Sequence, residues 1–143
     1  MNTKEYLLKY RDALQKVRQY EERIEMVSET LKGAETDGQP RGTSIGKPTE
    51  TTAIHLTLLK NQLTLAMLEA EETRQEIASE IDKMPNPKYR EILYLRYVKL
   101  EPWNKIAKRL DDLRPGKEYE LKSVIGYMHR RALKEFEEVH HEL

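Results

Sequence analysis

Cysteine is absent from the 143 residues, which removes disulfides, thiolate zinc sites and cysteine nucleophiles together and fits a reducing compartment. Aromatics other than tyrosine are scarce, with one Trp and one Phe, and only six glycines are present. Apolar residues recur at helical rather than alternating spacing, so sheet architectures are poorly supported and an all-α fold is expected. Long apolar runs are missing too: nothing approaches the roughly 20 residues a bilayer span needs. The opening Met-Asn-Thr-Lys-Glu-Tyr has no apolar stretch behind its lysine, so neither a secretion signal nor a membrane span is expected and the cytoplasm is the expected location.

Net charge is also missing, with 25 basic residues against 25 acidic ones, which at first argues against a polyanionic partner. Counted by segment, the balance changes. Residues 1–87 hold 12 Lys and Arg against 15 Asp and Glu, residues 88–133 hold 12 against 6, and residues 134–143 hold 1 against 4. A basic stretch of +6 flanked by two of −3 is the pattern of a polyanion-binding surface on an acidic scaffold, although a solvated basic face gives the same count. Mean hydropathy is −0.82 and charged residues reach 35%, yet 38% of the chain is hydrophobic, which suits helices with narrow apolar seams.

The seams are explicit. Tyr6, Tyr10, Ala13, Val17, Tyr20, Ile24, Val27 and Leu31 alternate steps of four and three, which predicts a helix from about Thr3 to Lys32, capped by Asn2 or Thr3. Residues 33–49 gather four of the six glycines and two prolines, so they break the helix and form a loop. A second seam runs through Thr52, Leu56, Leu59, Leu63, Ala66, Ala70, Thr73 and Ile77, which carries a second helix to about Met84. Two seams of equal length on either side of a loop predict an antiparallel hairpin, a coiled coil about 45 Å long. Ile54, Leu58, Leu65 and Met67 widen the second stripe beyond what one helix covers, which points to the C-terminal domain or a second copy of the chain as an added partner.

Pro85-Asn86-Pro87 interrupts the pattern, which divides the chain into a hairpin domain, 1–84, and a C-terminal domain, 85–143. Three helices are expected in the latter. The first spans about Pro87 to Leu100 and the second about Pro102 to Asp111. A turn over 112–117 then leads into the third, Glu118 to His140, with Leu121, Val124, Ile125, Met128, Ala132, Leu133 and Phe136 inward.

No constellation points to catalysis. His55 lies on the hairpin, His140 and His141 at the end of the chain, and His129 alone among basic residues, so no pair has ligand spacing with a third donor and no metal is expected. The stretch from Gly42 to Lys47 has one residue too few between its glycines for a phosphate loop, and no strand precedes it. Neither an enzyme nor a cofactor is expected.

The run from Tyr89 to Leu110, with Leu95-Arg96-Tyr97 followed by Trp103-Asn104-Lys105-Ile106-Ala107-Lys108-Arg109-Leu110, resembles the fourth-region helix-turn-helix of bacterial sigma factors. Val124 through His129-Arg130-Arg131-Ala132-Leu133 resembles the recognition helix of that group. With the preceding hairpin, nearly the whole chain is similar to a family of small phage proteins of Gram-positive hosts, akin to phage late-gene transcriptional activators. One departure is the interval from Ile106 to Ala132, about eight residues longer than in such units, so 111–120 reads as an enlarged turn. The resemblance implies a DNA-binding transcriptional regulator acting in a bacterial cytoplasm, with duplex DNA and RNA polymerase as partners and homo-oligomerisation through the hairpin.

On this reading Lys122, Ser123, Gly126, Tyr127 and Arg130 face base edges, while Lys105, Arg114, Lys117 and Arg131 meet phosphates. Each is equally readable as a solvated polar residue on a helix without a ligand. Two further readings fit the same features: a packaging protein of small-terminase type, and an interaction module that docks on polymerase without touching DNA.

Overall fold

The computed structural model describes residues 2–36, 46–113 and 121–140, and every regular element among them is helical. In chain order these are α1 (Thr3–Leu7), α2 (Lys9–Thr36), α3 (Gly46–Asp82), α4 (Pro87–Leu93), a first π segment (Tyr94–Val98), α5 (Trp103–Leu113), α6 (Leu121–Ser123), a second π segment (Val124–Met128) and α7 (His129–Val139). No helix among the described residues is long and apolar enough to cross a membrane.

Asn2 caps α1 in a reciprocal box. Its side-chain oxygen accepts the Glu5 N–H at 2.8 Å, and the Glu5 carboxylate accepts the Asn2 N–H at 3.4 Å. Leu8 stays in the right-handed region, and its N–H and C=O both make four-residue backbone bonds of 3.0 Å. α1 and α2 therefore follow one another almost as the single helix that the first seam predicts.

The compact units part at 12/13 and 71/72 rather than at residue 85: one comprises residues 1–12 and 72–143, the other residues 13–71. The reason lies in burial. Ile77, Ile81 and Met84, upstream of the two prolines, share one buried cluster with Leu7, Leu93, Tyr97, Val98, Ala132 and Phe136. The Pro-Asn-Pro break is a stapled corner inside one unit. Asn86 accepts the N–H groups of Lys88 and Tyr89 at 2.9 and 3.4 Å, its own N–H donates to Glu135 at 3.0 Å, and Arg90 donates to the Met84 carbonyl at 2.8 Å. Pro87 sits at the start of α4, where its missing N–H costs nothing.

A second cluster joins the three later helical stretches of the same unit: Ile92 and Leu95 from the first, Ile106, Ala107 and Leu110 from α5, Val124 and Met128 from the second π segment. The helix expected over Pro87–Leu100 is α-helical only to Leu93 and continues as the π segment. There the Lys99 N–H reaches back five residues to the Tyr94 carbonyl at 3.0 Å. It closes at Leu100, whose φ of 57° is left-handed, with the Glu101 N–H donating to the Leu95 carbonyl at 2.9 Å. Glycine usually holds such a position, and a leucine there stores about 1–2 kcal/mol. Arg96 braces the turn, donating to the Glu101 carbonyl at 3.2 Å with its guanidinium 4.5 Å from the Trp103 ring.

The last run also departs from the sequence expectation. Val124, Met128, Ala132 and Phe136 are buried, but Leu121 and Ile125, expected inward, are 44% and 39% exposed. Steps of four drift about 40° each on an α-helix. The second π segment, in which the His129 N–H donates to the Val124 carbonyl, winds more slowly and keeps the four-step row on one face, leaving Leu121 and Ile125 off it. α5 reaches Leu113, so it takes in the start of the enlarged turn of 111–120, whose remainder lies outside the described residues.

Among the described residues of the unit 13–71, Val17, Leu59, Ala66 and Ala70 are the buried side chains, and all four belong to the predicted seams. The contacts run in reversed order along the chain. Lys16 lies 3.6 Å from Glu69, whereas Val27 and Thr30 line a cavity of about 300 Å³ with Thr51, Thr52 and His55.

Candidate nucleic-acid interface

The second π segment and α7 separate two kinds of side chain. Opposite the buried row, Ser123, Tyr127, Arg130, Arg131 and Lys134 are exposed. The Arg131 guanidinium stands 5.0 Å from the centre of the Tyr127 ring, so an aromatic face lies beside the charge. Tyr127, Arg130, Arg131 and Lys134 line a trough of about 390 Å³ with Tyr89, Glu135 and Glu138. Glu135 is already engaged by the Asn86 N–H.

Gly126 lies within this face. A Cβ built there meets nothing within 4 Å, so no close packing inside the described chain calls for glycine. Glycine in a helix interior nevertheless costs about 0.5–1 kcal/mol relative to alanine.

Lys105 sits apart from the trough, on α5. It lines a second groove of about 440 Å³ with Leu95, Lys99, Glu101, Lys108 and Arg109. Two carboxylates temper the four cations: Glu101 is 4.0 Å from Lys105 and Glu91 is 3.8 Å from Arg109. Of the residues nominated from sequence, Tyr127, Arg130 and Arg131 thus come together with Ser123 and Gly126 on the same run, while Lys105 belongs to another patch. Lys122 is placed in α6 by its backbone alone, and Arg114 and Lys117 lie outside the described residues.

Sequence reasoning overlooked Lys134, Tyr89, Lys99, Lys108 and Arg109. Lys134 was within reach, because it follows Arg130 by one helical turn. Tyr89 has no such signal, being brought to the trough from α4.

His129 is an internal joint. Its Nε2 shares a hydrogen bond with the Tyr97 hydroxyl at 2.7 Å, and its ring packs edge-on to Trp103 with centroids 4.7 Å apart. Burial, then the nearby Lys4 and Arg96 charges, pushes its pKa from 6.5 down to about 4, so the imidazole is neutral at pH 7. Burial likewise raises the Tyr97 phenol. His140, placed at the loose end by its position in sequence, is tied back on one side and lies against a carboxylate on the other without a hydrogen bond to it. Nδ1 lies 2.8 Å from the Phe136 carbonyl and Nε2 lies 2.9 Å from the Glu80 carboxylate, which accepts from Lys83 at 2.9 Å. Among the described residues no group of three or more His, Asp or Glu is arranged to hold a metal ion.

No protein-family model, curated protein or solved structure matches the chain.

Proposed function

We propose that this chain is a DNA-binding transcriptional regulator of phage type, acting in a bacterial cytoplasm and holding duplex DNA through the face of the second π segment and α7. In this reading α4 with its π extension, α5 and the final helical run form the helix-turn-helix. α2 and α3 form an antiparallel coiled-coil hairpin that makes the protein a homo-oligomer.

One observation carries the reading: the exposed row of Ser123, Tyr127, Arg130, Arg131 and Lys134, set opposite a fully apolar buried row on the same run. Such a face presents cations to phosphates and amphipathic donors to base edges. Exposed Ile125 adds an apolar group of the kind that meets a thymine methyl. Gly126 fits as well, since a side chain missing without an internal reason lets another backbone approach.

The test is binding to mixed-sequence duplex across a salt series, comparing the wild type with Arg130→Ala/Lys134→Ala. The expected result is an affinity that falls steeply with salt, and a slope of log K against log salt reduced by about 0.9 for each phosphate contact removed. Absence of binding at low salt with RNA polymerase still captured would replace this reading with polymerase docking, to which the exposed Leu121, Ile125 and Tyr127 are suited. Assembly into a ring of many subunits on DNA would replace it with packaging.

A further inference from the structure

The unit of residues 13–71 leaves a second apolar seam uncovered. Ile54, Leu58, Leu65 and Leu68 on α3 are 63%, 55%, 62% and 57% exposed, and Asn61 completes their row at steps of four, three, four and three. At 100° per residue this row lies about 140° around α3 from the buried Leu59, Ala66 and Ala70, so the inner seam cannot cover it. We infer that α3 pairs through this outer seam with the same seam of a second copy of the chain, about a two-fold axis near Asn61.

Three features select a second copy over another occupant. Residues 51–68 carry one charged side chain, Lys60, in a chain that is 35% charged, so the surface offers almost nothing for a charged partner to read. Thr57 and Thr64, beside the seam, donate their hydroxyls to the carbonyls of Ala53 and Lys60 at 3.1 Å, which leaves their methyl groups for a dry contact. The seam also has its single polar residue at its midpoint, seven residues from either end. Two copies laid centre to centre place aliphatic on aliphatic and bring their Asn61 side chains together, whichever way the helices run. A polar residue at one seam position sets register at some cost in stability. With Met67, also 53% exposed, the face supplies five large side chains per copy. Counted on both copies, that is on the order of the 1,000 Å² a specific interface needs.

This names the surface for the homo-oligomer proposed above and rests on that reading. It is measured without DNA, so either can fail while the other stands. Sedimentation equilibrium of the full chain should give twice the 16.9 kDa of one copy. Leu58→Asp/Leu65→Asp should return the mass of one copy with an unchanged helical circular-dichroism signal. Because the chain has no cysteine, single replacements report proximity cleanly. Asn61→Cys should be joined into dimers by a short thiol cross-linker, while Arg18→Cys on α2 should not. A wild type that stays monomeric across concentrations overturns the proposal. So does a dimer that survives the double substitution, or equal cross-linking at positions 18 and 61.

Discussion

Among the described residues the eight largest side chains sealed from solvent, Leu7, Ile77, Ile81, Met84, Ile92, Leu93, Ile106 and Val124, all belong to the unit of residues 1–12 and 72–143. Among the described residues of the other unit, 13–71, there is none. The buried residues described there are two alanines, a valine and a leucine, while Met26, Ile54, Leu58, Leu65, Met67 and Leu68 stand more than half exposed. The difference is one of geometry. Several short helices converge on shared clusters and close over them, whereas two long helices bury one stripe each and leave the rest wet. Among the described residues the first unit closes over its apolar side chains, and the second leaves a row of them in water.

The largest expected effect tests that contrast directly. Ile106→Ala, at a fully sealed site, should cost about 2–5 kcal/mol, because the surroundings collapse only partly around the missing atoms. Leu59→Ala, on a seam open to water at both flanks, should cost no more than the ~2 kcal/mol foot of that range. Urea denaturation of both variants reads the difference. Equal losses would break the comparison and mean that the long helices are as tightly closed as the short ones.

Next in size is a pH effect at His129, which links the two clusters by touching Tyr97 of one and Trp103 beside the other. Its folded pKa of about 4 lies below the ordinary 6.5. Between those values the unfolded chain takes up a proton that the folded chain refuses. This contribution to stability is therefore full above pH 6.5, falls as the pH drops through the window, and is lost below about 4. His129→Phe keeps a ring in place and removes the proton. It should lower the melting temperature at pH 7, since the Tyr97 hydroxyl loses its hydrogen-bond partner, but flatten the descent between pH 6.5 and 4. A descent as steep as that of the wild type would assign the acid sensitivity to other groups.

The two units also differ in how far they could be read from sequence. The long helices were legible because a strict alternation of threes and fours has one simple solution, and Val17, Leu59, Ala66 and Ala70 lie where that alternation put them. The other unit was legible in its elements and less so in its details. A π segment adds one residue to a turn without any marker in composition, so Leu121 and Ile125 were turned inward on a face they do not share. The Pro-Asn-Pro corner read as a domain boundary because its fasteners, Glu135 and Arg90, act through contacts that local spacing does not encode. In the candidate interface, Tyr127, Arg130 and Arg131 followed from their place on one helix. Tyr89 did not, because another helix delivers it to the trough.

The smallest effect concerns Gly126, where the better-packed unit carries a helix-weakening residue although nothing lies within 4 Å of a Cβ built there. Gly126→Ala adds a methyl group that meets nothing within 4 Å and removes backbone freedom from the unfolded chain. It should therefore raise stability by about 0.5–1 kcal/mol, a gain readable as a higher urea midpoint at unchanged slope. If glycine is there so that a DNA backbone or base edge can come close, the same variant should bind duplex more weakly while its salt dependence stays that of the wild type, because no phosphate contact has been removed. Stabilisation with unaltered binding would leave Gly126 as a neutral residue on a solvated face and move the centre of the interface toward Arg130, Arg131 and Lys134. A loss of stability would show instead that the π turn itself depends on glycine at this point.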